Sequence, residues 1–292
     1  MIRILTDGTS CLSPAAGRQK GVVVGPHLIN FSGQVYREWL DLDASAFIAK
    51  LSACDEIPVT IPASVGDFVE AFRPLVENGE TVICLAVSSN ISQAFDNMKA
   101  AAGRFPGADI RIIDTRVTST LLTTLVLLAA EWAAAGQDAD AIERRTRNMI
   151  PNGRIYFLVP TLSYLAKGGR TGGAAALIGD VLRLKPILTL KDGRVDRYEM
   201  IHTFQHGLIK LRELVLTCAT RDSDNFIVVS HAGALAQAEI FADQLQDLLR
   251  LSQIPIYDVP PSIACNTGPG TLGVSFYYSV KPFPAAGSKN PA

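Results

Sequence analysis

Residues that commonly carry chemistry are few in this chain. Four histidines occur among 292 residues. His27, His202 and His206 have no companions at metal-ligand spacing, and His202 with His206, four apart, reads as a partly exposed helix face. His231, in Ser230-His231-Ala232-Gly233, reads as a loop or packing residue, because no Gly-x-Ser-x-Gly elbow accompanies it. The five cysteines (Cys11, Cys54, Cys84, Cys218, Cys265) are odd in number and form no CxxC pair. That argues against a zinc site or a disulfide framework and fits a reducing cytoplasm. Cys265 reads as a small apolar lining residue. No Walker-type glycine-rich loop is present, so no ATP site of that kind is expected. An excess of one charge sign is missing too: 27 basic and 28 acidic residues leave a net charge of −1. Such a balance leaves no footprint for nucleic acid or an anionic membrane. Long apolar runs are absent. The longest, Leu121 to Ala135, is broken by Thr123, Thr124 and Glu131 and reads as a buried helix, not a membrane span. The amino terminus starts on a strand-like run with no basic segment before it, so no signal peptide is expected.

What is present is material for a folded core: 48% apolar and 19% charged residues. The first half alternates strand and helix signals. Strand-like runs at Ile2–Leu5, Val22–Ile29, Thr81–Val87 and Ile110–Ile113 are separated by helical patterns over residues 41–51, 65–78, 91–103 and 118–135. This predicts an α/β fold, with a small parallel sheet and helices on its faces. Ser64 before Val65, with Asp67 three residues on, is a capping-box signal. The second half mixes hairpins with helices. Asp192-Gly193 between residues 186–190 and 195–201 is a hairpin turn, a helix is expected over 174–184, and a last strand over 272–280. The expected organisation is an α/β domain at 1–150, an α+β domain with a mostly antiparallel sheet at 151–281, and a flexible tail at 282–292.

Three apolar runs stop at hydroxyl-rich clusters with almost no general acid or base. Ile2–Leu5 ends in Thr6-Asp7-Gly8-Thr9, Thr81–Val87 in Ser88-Ser89-Asn90-Ile91-Ser92, and Ile110–Ile113 in Asp114-Thr115-Arg116-Val117-Thr118-Ser119-Thr120. Each is followed by a helical pattern and belongs at the carboxyl end of a parallel strand, where open α/β sheets bind ligands and helix N-termini favour anions. Hydroxyl donors without His, Glu or Lys hold a ligand more readily than they transform one. Lys167-Gly168-Gly169-Arg170 adds a flexible loop with a guanidinium suited to an acidic group. Asn266-Thr267-Gly268-Pro269-Gly270 is read as a tight turn that permits close backbone approach.

Taken in order, Asp7, Thr60-x-Pro-x-Ser64, Ser88-Ser-x-Ile-Ser92, Lys167-Gly-Gly-Arg170, Leu184–Leu190 before Asp192-Gly193, and Thr267-Gly-Pro-Gly270 resemble the DegV family over about residues 2–278. These are fatty-acid-binding proteins that serve bacterial fatty-acid kinases. The resemblance implies a long-chain fatty acid with its acyl chain buried in the second domain and its carboxylate at the interdomain cleft. It implies that Thr60, Ser92 and Asn266 hold the carboxylate. Ser64, Ser89, Ile91, Arg170, Thr267 and Gly268 are expected to line the pocket or its mouth. The resemblance further implies a separate ATP-dependent kinase subunit, similar to dihydroxyacetone kinases, that phosphorylates the bound acid. The chain itself is then no enzyme, and no cofactor, metal, nucleic acid or integral membrane association is expected.

Several positions depart from the family pattern. Asn266 stands where the family has His, and an amide carries no proton or positive charge. Gln93-Ala94 replace Gly-Thr, and Gly8 replaces Ser. Residues 201–205 lack the arginines and lysines common after the hairpin. Two alternatives stay open: a small-molecule hydrolase with Ser92 as nucleophile, and a diverged lipid sensor without a kinase partner.

Overall fold

The computed structural model describes residues 1–54, 56–173, 185–218 and 226–277. Strands β1 (Ile2–Asp7), β2 (Val22–Gly25), β6 (Thr81–Ala86) and β7 (Ile110–Asp114) form a parallel sheet in the order β2-β1-β6-β7. Their near-continuous apolar sequences reflect burial on both faces. Helices α1 (Pro14–Gln19), α3 (Val65–Glu77), α4 (Ala94–Ala102), α5 (Ser119–Ala134) and α6 (Ala139–Met149) accompany them. The α3 start is a capping box: the Ser64 side chain accepts from the Asp67 amide, and the Asp67 carboxylate accepts from the Ser64 amide. Because all four strands run the same way, the three hydroxyl clusters emerge on one edge.

Strands β8 (Gly153–Leu158), β9 (Lys185–Lys191), β10 (Arg194–Ile201), β11 (Val228–His231), β12 (Ile256–Asp258) and β13 (Leu272–Tyr277) build a second sheet, ordered β10-β9-β8-β13-β11-β12. It is antiparallel except for the β11–β12 pair. Asp192 and Gly193 both have positive φ, 51° and 74°, the geometry a two-residue hairpin turn requires. Helices α8 (Phe204–Cys218) and α9 (Leu235–Leu249) pack against this sheet through Leu211, Val215, Phe241 and Leu245. Helix α5 reaches both sheets. Ser275 donates to Thr120 Oγ1 (2.7 Å), and the Tyr277 hydroxyl donates to the Leu121 carbonyl (3.0 Å). Its threonines fit an apolar environment because Thr124 bonds the carbonyl of Thr120 one turn back, at 3.0 Å. Among the described residues no helix is long and apolar enough to cross a membrane.

A third, antiparallel sheet has the order β4-β3-β5, from β3 (Leu28–Phe31), β4 (Gln34–Arg37) and β5 (Val59–Ile61). The continuous extended segment expected at Val22–Ile29 therefore breaks. Gly25 closes β2, and Pro26, which has no N–H to offer a ladder, lets the chain leave one sheet for another. The small sheet and α2 (Ala44–Ser52) share a core with the far end of the chain: Ile29, Phe31, Phe47 and Leu51 meet Val259, Ala264 and Cys265. Those last residues precede or belong to α10 (Pro261–Thr267), where sequence reading expects only the turn at 266–270. Pro261 sits at the first helical position, where a missing N–H costs nothing. Asn266 and Thr267 thus end a helix, and Gly268 (φ 80°) and Gly270 (φ 82°) make the turn after it. The helix expected at 174–184, the strand beyond residue 277 and the tail at 282–292 lie outside the described residues.

Candidate functional site

Asp7 organises the carboxyl edge of the parallel sheet. Its Oδ1 accepts from the Thr9 amide (3.0 Å) and hydroxyl (2.6 Å), and its Oδ2 accepts from the Val87 amide (2.8 Å). This joins the loop after β1 to the loop after β6. Asp114 joins the next pair, accepting from the Ser89 hydroxyl at 2.6 Å and amide at 3.2 Å. The middle loop then reaches the second sheet. Ser88 donates to the Gly193 carbonyl (2.7 Å) and Asn90 Nδ2 to the Asp192 carbonyl (2.8 Å).

Between these loops, α10 and the second sheet lies a cavity with about 870 Å³ of empty space, its open mouth included. Thr60, Ile91, Ser92, Arg170, Asn266 and Thr267 all line it. Thr60 lies on β5 in register with Ile29, which is buried in the core shared with α10. Ser92 Oγ accepts from the Ala94 amide at 3.2 Å, so its proton is the part left to donate. The apolar wall comes from the C-terminal half: Ile155 and Phe157 on β8, Leu165 on α7 (Ser163–Gly168), Leu190 on β9 and Val195 on β10.

Three expected pocket residues are not among those lining the cavity. Ser64 is committed to capping α3, with Asp67 as partner. Ser89 is committed to Asp114. Gly268 faces the Tyr164 ring, which occupies the space a Cβ would take. Cys265 likewise belongs to the core of the small sheet and does not line the cavity; burial pushes its thiol pKa well up, so it has no thiolate character. Asn266 lines the cavity with one of its two amide hydrogens engaged: Nδ2 donates to the Ser262 carbonyl, 3.0 Å away on the preceding turn, and Oδ1 lies where a Cβ at Gly168 would fall. Arg170 Nη1 donates to the Gly168 carbonyl at 2.6 Å. His231 is buried on β11, with Nδ1 3.6 Å from Asp258 Oδ1; burial lowers its pKa.

Thr9, Thr118 and Ser119 of the other two hydroxyl clusters line the cavity as well, while His27, Ser230 and Ser262 escape sequence reading. His27 and Ser262 belong to a buried cluster with Asp7 and Glu38. His27 Nε2 lies 3.6 Å from Asp7 Oδ1, too long for a hydrogen bond, and Glu38 Oε2 accepts from the Ser262 amide at 2.6 Å. Burial raises the Glu38 carboxyl pKa, with His27 and Ser262 opposing the shift. Gly8 makes room for this acid, since a Cβ there would collide with Glu38 Oε1. With Glu38 in this place, position 8 has no room for a side chain. Among the described residues no group of three His, Cys, Asp or Glu side chains could hold a metal ion.

The family model of the DegV family, described as uncharacterised proteins, matches residues 1–279. The chain belongs to the DegV family. A DegV domain-containing protein of Clostridium perfringens is 29% identical over 279 residues, covering 94% of this chain and 98% of the relative. A solved DegV family protein from Thermus thermophilus, described by its fatty-acid binding, superposes with a TM-score of 0.83 at 28% identity, covering 94% of this chain and 99% of that one. The fatty-acid-binding DegV family protein of Streptococcus agalactiae gives a TM-score of 0.86 at 27% identity, covering 96% and 99%. The DegV fold, with its parallel and mostly antiparallel sheets, is therefore common to this chain and the two solved relatives.

Proposed function

We propose that this DegV protein binds one long-chain fatty acid, with its carboxylate between Thr60 and Ser92 and its acyl chain along Ile155, Phe157, Leu190 and Val195. The observation that carries this reading is that hydroxyls from the N-terminal half and an apolar wall from the C-terminal half line a single cavity. The solved relatives described as fatty-acid binding support it. Burying roughly a dozen methylenes is worth on the order of 10 kcal/mol before association costs, whereas a hydrogen bond to a carboxylate adds about 1.5–3 kcal/mol. The tail sets affinity, and the hydroxyls decide which end faces the cleft.

In the same reading the protein needs no cofactor, works in the cytoplasm, and presents the acid to a separate ATP-dependent kinase subunit, without catalysis of its own. Asn266, which can carry neither a transferable proton nor a positive charge, favours a second reading for that last step, in which the acid is retained or sensed with no kinase. Phosphorylation of the loaded protein by a cognate kinase separates the two.

Native mass spectrometry of protein purified without added lipid tests binding itself: a co-purifying fatty-acid mass is expected. An empty protein that ignores oleate and palmitate refutes it. Thr60→Ala with Ser92→Ala is expected to weaken retention of a free acid more than of its methyl ester. Equal weakening would show that these side chains do not read the carboxylate.

A further inference from the structure

The cavity wall carries two polar atoms that make no hydrogen bond of good geometry: Ser262 Oγ has the Glu38 carboxylate beside it, and His27 Nε2 has Asp7 Oδ1 at 3.6 Å. His27 is 4% exposed and Ser262 5% exposed. His27 Nε2 and Ser262 Oγ are both buried without a hydrogen-bond partner, and both residues line the cavity. Buried polar atoms are normally paired, and leaving them unpaired costs stability. A pure hydrocarbon chain passing them would leave that cost standing. A ligand with a polar group at the same place would remove it.

Both residues are backed by acids. Asp7 lies behind His27, held by three donors, and Glu38 lies behind Ser262, on its amide. Two buried carboxyl groups there disfavour a second anion, so this corner is no rival to Thr60 and Ser92 for the ligand carboxylate. A hydroxyl suits it, since it can both donate and accept. His27 stands two residues before Ile29, the β3 partner of Thr60, which places this corner about 7–8 Å, a diagonal neighbour across the ladder, from the carboxylate end. That distance corresponds to the first few carbons of the acyl chain.

We propose that His27 and Ser262 form a second polar anchor, and that the preferred ligand is a long-chain acid with a hydroxyl close to its carboxylate, as in a 3-hydroxy acid. This deepens the fatty-acid reading and rests on it. The anchor makes the site discriminate among acids of equal chain length. A hydroxyl placed beside apolar walls elsewhere would instead be a burden.

The test is competition binding of hexadecanoate, 3-hydroxyhexadecanoate and 16-hydroxyhexadecanoate to the wild-type chain, His27→Leu and Ser262→Ala. The wild type is expected to bind the 3-hydroxy acid about five- to tenfold more tightly than hexadecanoate, in keeping with one or two satisfied buried hydrogen bonds. The 16-hydroxy acid is expected to gain nothing. Each substitution should bring the 3-hydroxy to parent ratio toward one. Should His27→Leu fail to fold, Ser262→Ala, which removes one unpaired hydroxyl, still decides the matter. Equal wild-type affinities overturn the anchor, as does a preference that survives Ser262→Ala. A wild type that binds none of the three acids overturns the fatty-acid reading itself, a different result from binding all three alike.

Discussion

The buried Ser88 hydroxyl donates to the Gly193 carbonyl at 2.7 Å and thereby fastens the edge of the parallel sheet to the hairpin turn of the other sheet. Gly193 is bound to this role twice over. Its φ of 74° favours glycine, and a Cβ there would strike Ser88 Oγ. Ser88→Ala is expected to cost about 1 kcal/mol, and Gly193→Ala more, because it adds backbone strain to the collision. Denaturant midpoints check the order. A Gly193→Ala chain as stable as Ser88→Ala would show that the turn is not pinned by this contact.

Gly8 and Glu38 share one volume. Adding a methyl group at position 8 collides with Glu38 Oε1 in a region where neither residue can retreat to solvent. Gly8→Ala should therefore cost about 1–3 kcal/mol, the usual range for overpacking. Shortening the acid in Gly8→Ala/Glu38→Asp should recover part of that cost. A double-mutant cycle measures the coupling; strictly additive losses would mean the two side chains do not compete for space.

Glu38 also makes stability depend on pH. Its pKa is raised in the folded protein by burial, with His27 and the Ser262 amide opposing. Below the ordinary value of 4.5 the group is protonated whether the chain is folded or not. As pH rises above that value the unfolded chain ionises first, so stability falls until pH passes the raised folded value. Glu38→Gln keeps the shape and removes the titration. The stability difference between Glu38→Gln and wild type is expected to shift in favour of the variant between pH 4 and neutrality, by thermal or chemical melts at matched salt. A flat difference across that range contradicts the buried acid.

What could be read from the residues alone was whatever depends on neighbours along the chain. Alternating strand and helix signals located β1, β6 and β7, Asp192-Gly193 located the hairpin, and Ser64 with Asp67 located a helix start. The hydroxyl clusters pointed to one sheet edge because parallel strands must end together. Thr60, Ser92 and Asn266 were proposed through the order of motifs, and the fold does bring them to one cavity. Illegible were the features that rest on distant pairing. Helix α10 is seven residues long, capped by Pro260 and opening on Pro261, and its short sequence runs into a glycine turn, so it carries no helical periodicity to read. Asp7, His27, Glu38 and Ser262 come from four separate places, and no spacing rule connects them. Cys265 looked like a pocket residue by its position before Asn266, yet a helix turns consecutive residues about 100° apart, and this one faces the small sheet's core.

Ser64 and Ser92 separate scaffold from site. Both belong to hydroxyl motifs on the N-terminal half, but the structure uses them differently. Ser64 Oγ accepts from the Asp67 amide at 3.1 Å in a reciprocal cap, while Ser92 Oγ lines the cavity and accepts from a single amide. Ser64→Ala removes an N-cap and is expected to cost about 1 kcal/mol of stability. It should leave the preference for a free acid over its methyl ester untouched. Ser92→Ala is expected to erode that preference with a smaller stability loss, since Ala94 at the helix start is the one amide it leaves bare. Melting and acid-versus-ester retention, measured on both variants, would show the opposite pattern if Ser64 rather than Ser92 met the ligand.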